Sequence, residues 1–170
     1  MLLSEQGFDN QIDQYSVKKV LGYGGAGQVM LVQHKLTNEE FAMKLLPADG
    51  MNEDGTAQIN REIALQTRCK HCPNVVRFKE HFKHENLHCI VMERMEGGDL
   101  QQMLERRSFK PITVDMARKF THSIALALKY LHEHEIIHRD VKLENVMLTS
   151  MSEQSCEAKL TDFGLALRLN

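Results

Sequence analysis

A chain of 170 residues with 42% apolar and 26% charged residues has the composition of an ordinary globular protein and is long enough to bury a core. Its formal charge of −2 gives no reason to expect nucleic acid or an anionic membrane as partner, and no apolar run approaches the roughly 18 residues of a membrane span. Met1-Leu2-Leu3-Ser4-Glu5 lacks the basic region and long apolar core of a secretory signal, which points to the cytoplasm or nucleus; there Cys69, Cys72, Cys89 and Cys156 are expected as free thiols.

Residues 1–14 are polar and aperiodic and read as a loose leader. From Tyr15 to Leu21 apolar and polar residues alternate as in a strand with one buried face, and Gln28–His34 is a second β-rich run. Between them lies Gly22-Tyr23-Gly24-Gly25-Ala26-Gly27. A dinucleotide-binding glycine motif opens a helix, whereas this one opens a strand, so it reads either as a phosphate-covering flap or as a plain flexible hairpin. Glycine loses the most freedom on ordering, so Gly24 to Ala26 are expected to be mobile.

Glu39–Leu46 reads as a third strand, ended by Pro47, with Lys44 among apolar neighbours. From about Asp54 to Arg68 a helical pattern puts Ile59, Glu62, Ile63 and Gln66 on one side. A carboxylate inside an inward stripe is costly unless a cation meets it, and Lys44 is the natural partner; turned outward, Glu62 is a surface charge and Lys44 an edge-strand lysine. Two further strands are predicted at Val75–Lys79 and Leu87–Met92, completing a small lobe of five antiparallel strands and one helix. Cys69-Lys70-His71-Cys72, near His81, His84 and His88, has the flavour of a zinc site but lacks a second ligand pair at regular spacing; the plainer reading is a connection with incidental thiols.

Gly97-Gly98-Asp99-Leu100 opens a more helical region. A long amphipathic helix is capped by Thr113 and runs to about His132, with the stripe Ala117, Phe120, Ile124, Ala127, Leu128 and Leu131. It leads into His138-Arg139-Asp140-Val141-Lys142-Leu143-Glu144-Asn145. Val146–Thr149 and Ala158–Thr161 then form a predicted hairpin that brings Asp162-Phe163-Gly164 to the side of Asn145.

The last two motifs resemble the catalytic loop and metal-binding motif of the protein kinases, and the parts upstream follow in the order of that family. The resemblance runs from about Tyr15 to the end of the chain and implies an α+β, bilobal fold: a small lobe and hinge over 15–95 and part of a large, mainly helical lobe over 96–170. It implies Asp140 as acceptor of the hydroxyl proton, Lys142 as neutraliser of the travelling phosphate, and Asn145 with Asp162 as magnesium ligands. ATP would lie under Gly22, Gly24 and Gly27, its phosphates held by Lys44 paired with Glu62. Leu21, Val29, Ala42 and Met147 would wall the adenine pocket, each of them equally a plain core residue; Met92 would limit its back, and the backbones of Glu93 and Met95 would bind the adenine edge, their side chains adding little.

Lys142 after the acid is the serine/threonine pattern, whereas Leu143 departs from the more usual proline and Ala26 from a larger residue. Cys72–Arg77 and Val91–Leu100 look like the calmodulin-dependent group, most of all the kinases activated by MAP kinases. That implies a protein substrate with serine or threonine near an arginine recognised by Asp99 and Glu144, a MAP kinase upstream, and a phosphate clamped by Arg139. Only Leu165 to Asn170 follow the metal motif, so the chain reads as a C-terminally truncated kinase without the end of the activation segment or a substrate platform. Weak nucleotide binding, little peptide phosphorylation and an exposed stripe on the 113–132 helix are then expected. The competing readings are a shortened, catalytically deficient form acting through partners or nucleotide, and a metal module at Cys69 and Cys72.

Overall fold

Five strands, Tyr15–Gly24 (β1), Gly27–His34 (β2), Glu40–Pro47 (β3), Phe78–His84 (β4) and Leu87–Glu93 (β5), form one sheet in the order β1-β2-β3-β5-β4. They belong to a computed structural model that describes residues 11–24, 27–48, 53–152 and 155–169; Gly25 and Ala26, at the expected mobile tip, and residues 1–10 of the leader lie outside these. The chain divides into two compact units, residues 1–51 with 79–92 and residues 52–78 with 93–170.

In the first unit, the period of two along each strand separates the faces of the sheet. Met30 and Val32 pair across to Met43 and Phe41, and this face packs with Tyr15, Phe82, Cys89 and Val91 into a buried cluster. Ile12, in the 3-10 turn Gln11–Gln14, packs against it too. The opposite face carries Val29, Leu31, Ala42 and Lys44, with Val29 opposite Lys44 and Leu31 opposite Ala42. Each fully buried apolar side chain here contributes about 1.5–3 kcal/mol.

The predicted strand Val75–Lys79 is displaced. The strand begins at Phe78, while Val75 bridges Leu160 and the Val76 N–H donates to the Leu160 carbonyl at 2.9 Å, inside the second unit. The reason is burial. β4 is an edge strand in which Phe82 alone is fully buried, so its sequence, Phe-Lys-Glu-His-Phe-Lys-His, carries little periodicity; the two valines find a complete core elsewhere.

The second unit contains the helices Glu53–Arg68 (α1), Leu100–Arg106 (α2) and Val114–Glu133 (α3). Short strands accompany them: Gly98–Asp99 (β6), Ile136–Ile137 (β7), Val146–Leu148 (β8), Ala158–Leu160 (β9) and Leu167–Arg168 (β10). α3 starts at the expected cap, where Thr113 Oγ1 accepts from the Met116 N–H at 3.2 Å. Its stripe is not the exposed patch expected from the sequence. Phe120 packs with Val146, Leu148 and Ala158, while Ala127 and Leu131 pack with Leu65, Ile136, Leu160 and Phe163, because α1 and the strands around the 138–145 loop supply the cover.

Cys69 and Cys72 lie in the cluster with Leu131 and Phe163, and burial pushes the Cys69 thiol up to about 12 and raises Cys72 as well. Metal ligation needs the thiolate, which this environment disfavours. Among the described residues, no group of three or more His, Cys, Asp or Glu is placed to hold a metal.

Candidate active site

The 138–145 loop is organised by His138, a member of the motif to which no separate role was assigned from sequence. His138 is 1% exposed, with its ring edge-on to Phe163 at 5.4 Å. Its Nε2 lies 3.0 Å from the Thr161 carbonyl, which can only accept, so Nε2 carries the proton and Nδ1 accepts from the Asp140 N–H at 3.3 Å. Burial holds the imidazole below its ordinary range, which keeps this arrangement neutral. The available clue was the apolar pair Ile136-Ile137, which carries His138 inward.

Asp140 is fixed from two sides. Its Oδ2 accepts from Lys142 Nζ at 2.8 Å and from Asn145 Nδ2 at 2.9 Å, and Nδ2 also donates to the Asp140 carbonyl at 2.9 Å. The hydrogen bond from Lys142 is the main reason the Asp140 carboxyl lies below its usual value, and Asp140 in turn raises Lys142. Asn145 is 5% exposed and its carbonyl accepts from the Thr161 N–H at 3.0 Å. This bond follows from the hairpin, in which β8 and β9 pair antiparallel with Val146 opposite Leu160. The residue after Thr161 is Asp162.

Arg139 and Asp162 both adopt left-handed backbone angles, φ 67° and 64°, which non-glycine residues visit at a cost of about 1–3 kcal/mol. The strain brackets the functional candidates. Asp162 Oδ1 accepts from the Gly164 N–H at 3.2 Å. A Cβ on Gly164 would lie 3.2 Å from that same oxygen and 3.5 Å from Glu62 Oε2, so the two carboxylates flank this glycine. Gln58 Nε2 donates to the Gly164 carbonyl at 3.0 Å, docking α1 on the Asp162-Phe163-Gly164 segment. Glu62 is 6% exposed and thus faces inward, with Ile59, Leu65 and Gln66.

Glu93 is the second residue whose part sequence reading missed. Its carboxylate receives Lys159 Nζ at 2.7 and 3.0 Å and the Arg77 N–H at 2.6 Å, while its own N–H donates to the Arg77 carbonyl at 3.0 Å. Met95 is buried, and its carbonyl accepts from the Gly98 N–H at 3.3 Å. Met147 on β8 sits opposite Asp99 on one side and Lys159 on the other. Asp99 is more than a solvated acid: its Oδ1 caps α2 by accepting from the Gln102 N–H at 2.8 Å. Desolvation, with Glu105 and Glu144 nearby, raises its carboxyl. Arg139 Nε donates to the Leu165 carbonyl at 2.6 Å.

The remaining candidates lie in the first unit. Gly22 pairs with Val29 and Val29 with Lys44, which puts the three in one row across β1, β2 and β3; Leu21 is the extra residue at a bulge, and Gly24 pairs with Gly27. Ala42 lies on the same face as Lys44, and Met92 is buried at the end of β5. The glycines differ in kind. A Cβ on Gly27 would fall 2.0 Å from the Leu45 carbonyl oxygen, whereas one on Gly22 would meet nothing within 4 Å among the described residues.

Comparison with known proteins gives the family. The protein kinase domain family matches residues 15–170. The chain is 36% identical over 162 residues to the serine/threonine-protein kinase Nek3 of Mus musculus, covering 94% of this chain and 30% of that protein. It is 38% identical over 162 residues to MAP kinase-activated protein kinase 2 of Homo sapiens, covering 91% and 38%. With the serine/threonine-protein kinase PLK4 of Danio rerio it shares 34% identity over 161 residues, covering 94% and 16%. The chain thus spans well under half the length of these curated relatives. With the family's profile matched from β1 to the final residue, the chain belongs to the protein kinase domain family, and its relatives are serine/threonine kinases.

Proposed function

We propose that this chain carries the nucleotide-binding and phosphoryl-transfer residues of a serine/threonine protein kinase, moving the γ-phosphoryl group of ATP to a serine or threonine hydroxyl. The observation that supports this most is the cluster of Asp140, Lys142 and Asn145, joined through the Asn145–Thr161 bond to the residue before Asp162. In the proposed step the hydroxyl oxygen bonds to the γ-phosphorus, the bond to the β–γ bridging oxygen breaks, and the hydroxyl proton passes to Asp140. A carboxylate held below its usual pKa is ionised at neutral pH and a weak base, which suits a loose transition state in which the proton leaves late. Lys142 supplies charge neutralisation beside it.

The donor set fits a magnesium ion. Asn145 Nδ2 is committed to Asp140, which turns the amide oxygen the other way, and Asp162 adds a carboxylate; both are the hard oxygen donors that magnesium prefers. A bound magnesium would offset charge on the phosphate oxygens. For the nucleotide we assign Gly22, Gly24, Gly27 and Lys44 to the phosphates, with Glu62 as the buried acid that orients the lysine. Leu21, Val29, Ala42, Met92 and Met147 are assigned to the base, and the Glu93 carbonyl and Met95 N–H to the adenine edge. Among the described residues nothing lies within 4 Å of a Cβ built on Gly22, which supports a ligand there.

Asp99, with Glu105 and Glu144 each close enough to act on it, supports a preference for arginine near the acceptor residue. Similarity to a kinase named as MAP kinase-activated supports a MAP kinase upstream. Buried free thiols suit a reducing compartment, the cytoplasm or nucleus, and no helix among the described residues is long and apolar enough to cross a membrane. The test is calorimetric titration of Mg·ATP into the 170-residue chain and its Lys44→Met variant. Binding by the wild type, lost in the variant, is expected; equal binding by both overturns the assignment. Any phosphorylation of serine peptides by this chain, with or without an upstream arginine, should fall to background in Asp140→Asn.

A further inference from the structure

Glu93 stands at a junction. The second unit hands the chain to the first after Phe78 and takes it back at Glu93, and the residues flanking these two crossings are bonded to each other. The Glu93 N–H donates to the Arg77 carbonyl at 3.0 Å, and the Arg77 N–H donates to Glu93 Oε1 at 2.6 Å. This closes a ring through one side chain. Lys159 completes it by donating to both carboxylate oxygens, at 2.7 and 3.0 Å, and the two charged side chains are only 18% and 16% exposed. So shielded an ion pair is little screened by solvent, and removing one partner leaves the other poorly compensated.

Lys159 is also tied to other residues of the proposed reaction. It lies opposite Met147 in the β8–β9 register, and only Leu160 and Thr161 separate it from Asp162. β9 is fixed at its end by the Val76–Leu160 and Asn74–Leu160 backbone bonds, at 2.9 and 2.8 Å, so the strand cannot slide to follow a displaced Glu93. Glu93 must therefore be held where Lys159 is.

We infer that Lys159 is a positioning residue for adenine recognition: through the Glu93 carboxylate it fixes the orientation of the Glu93–Met95 backbone. The inference rests on the function proposed above. Without the Lys159 ammonium the Glu93 side chain seeks solvent, its bond to the Arg77 N–H is lost, and the Glu93 carbonyl turns from the adenine edge. Lys159 touches no nucleotide in this scheme. Its effect is confined to the base, so affinity for adenosine falls as much as affinity for Mg·ATP.

The experiment compares wild type, Lys159→Met, Lys159→Arg and Glu93→Gln by calorimetry with adenosine and with Mg·ATP, each well below its melting temperature. Lys159→Met and Glu93→Gln are expected to weaken adenosine and Mg·ATP binding in parallel, by about tenfold, with Lys159→Arg restoring most of the affinity. Glu93→Gln keeps the size of the side chain and an oxygen for the Arg77 N–H, so it reports the loss of charge should Lys159→Met fail to fold. A drop in melting temperature with unchanged adenosine affinity in both variants would mean a structural strut only and overturn the inference. A wild type that binds neither ligand removes the proposed function itself, a different and separable result.

Discussion

Gly22 and Gly27 belong to one motif, yet the structure gives them opposite reasons to be glycine. A Cβ on Gly27 would lie 2.0 Å from the Leu45 carbonyl oxygen, 2.9 Å from Leu46 Cδ2 and 3.0 Å from the Leu45 carbonyl carbon. Carbon and oxygen settle no closer than about 3.3 Å, so β2 and β3 would have to part by more than about 1 Å at this point. The obstacle is backbone and cannot rotate away, and it adjoins the Gln28–Leu45 pair that begins the ladder. Overpacking of this kind costs about 1–3 kcal/mol. For a chain of this size about 2 kcal/mol corresponds to a melting temperature lower by about 4–8 °C.

At Gly22 the same substitution meets nothing within 4 Å among the described residues and should stay within about 0.5 kcal/mol of wild type. Its cost is expected in the ligand instead: Mg·ATP should bind roughly tenfold more weakly, because the added methyl fills the space beside the backbone. Thermal unfolding followed by circular dichroism, paired with Mg·ATP calorimetry on Gly22→Ala and Gly27→Ala, separates the two effects. Equal melting of the variants, or a Gly22→Ala chain that binds Mg·ATP like wild type, would falsify the reasoning.

Asn145→Asp replaces a donor 2.9 Å from Asp140 Oδ2 with a second carboxylate. The pair's protonation should shift upward, so the variant should be destabilised at neutral pH by about 1–3 kcal/mol and regain stability as pH falls, the reverse of ordinary acid denaturation, in urea titrations across pH. His138 is held below its ordinary imidazole value by burial. Its contribution is therefore complete above the unfolded value of about 6.5 and declines as pH falls through that value towards the folded one; NMR titration should find the His138 ring neutral when exposed imidazoles are half protonated, and a ring titrating with them refutes this. Phe163→Ala, at a position 1% exposed and packed on His138, should cost about 3–5 kcal/mol in denaturant unfolding. Thr113→Ala should cost about 1 kcal/mol through the lost cap, and an unchanged denaturation midpoint would mean that the Met116 N–H finds water just as well.

What repeats or punctuates was legible from the residues alone. Alternation marked β1, β2, β3 and β5, the three-and-four spacing marked α1 and α3, and Thr113 marked a cap, because these rest on contacts within a few residues. The order of Asp140, Lys142, Asn145 and Asp162 carried the resemblance to the protein kinases, the family to which the chain belongs. Tertiary structure alone decided where Val75 and Val76 go, since a valine pair suits any core and the choice between sheet edge and β9 depends on which is complete. It also decided that His138 and Glu93 serve as hydrogen-bonding hubs. Their partners, Thr161, Arg77 and Lys159, are 16 to 66 residues distant, and a polar side chain shows no periodicity by which so remote a partner could be read.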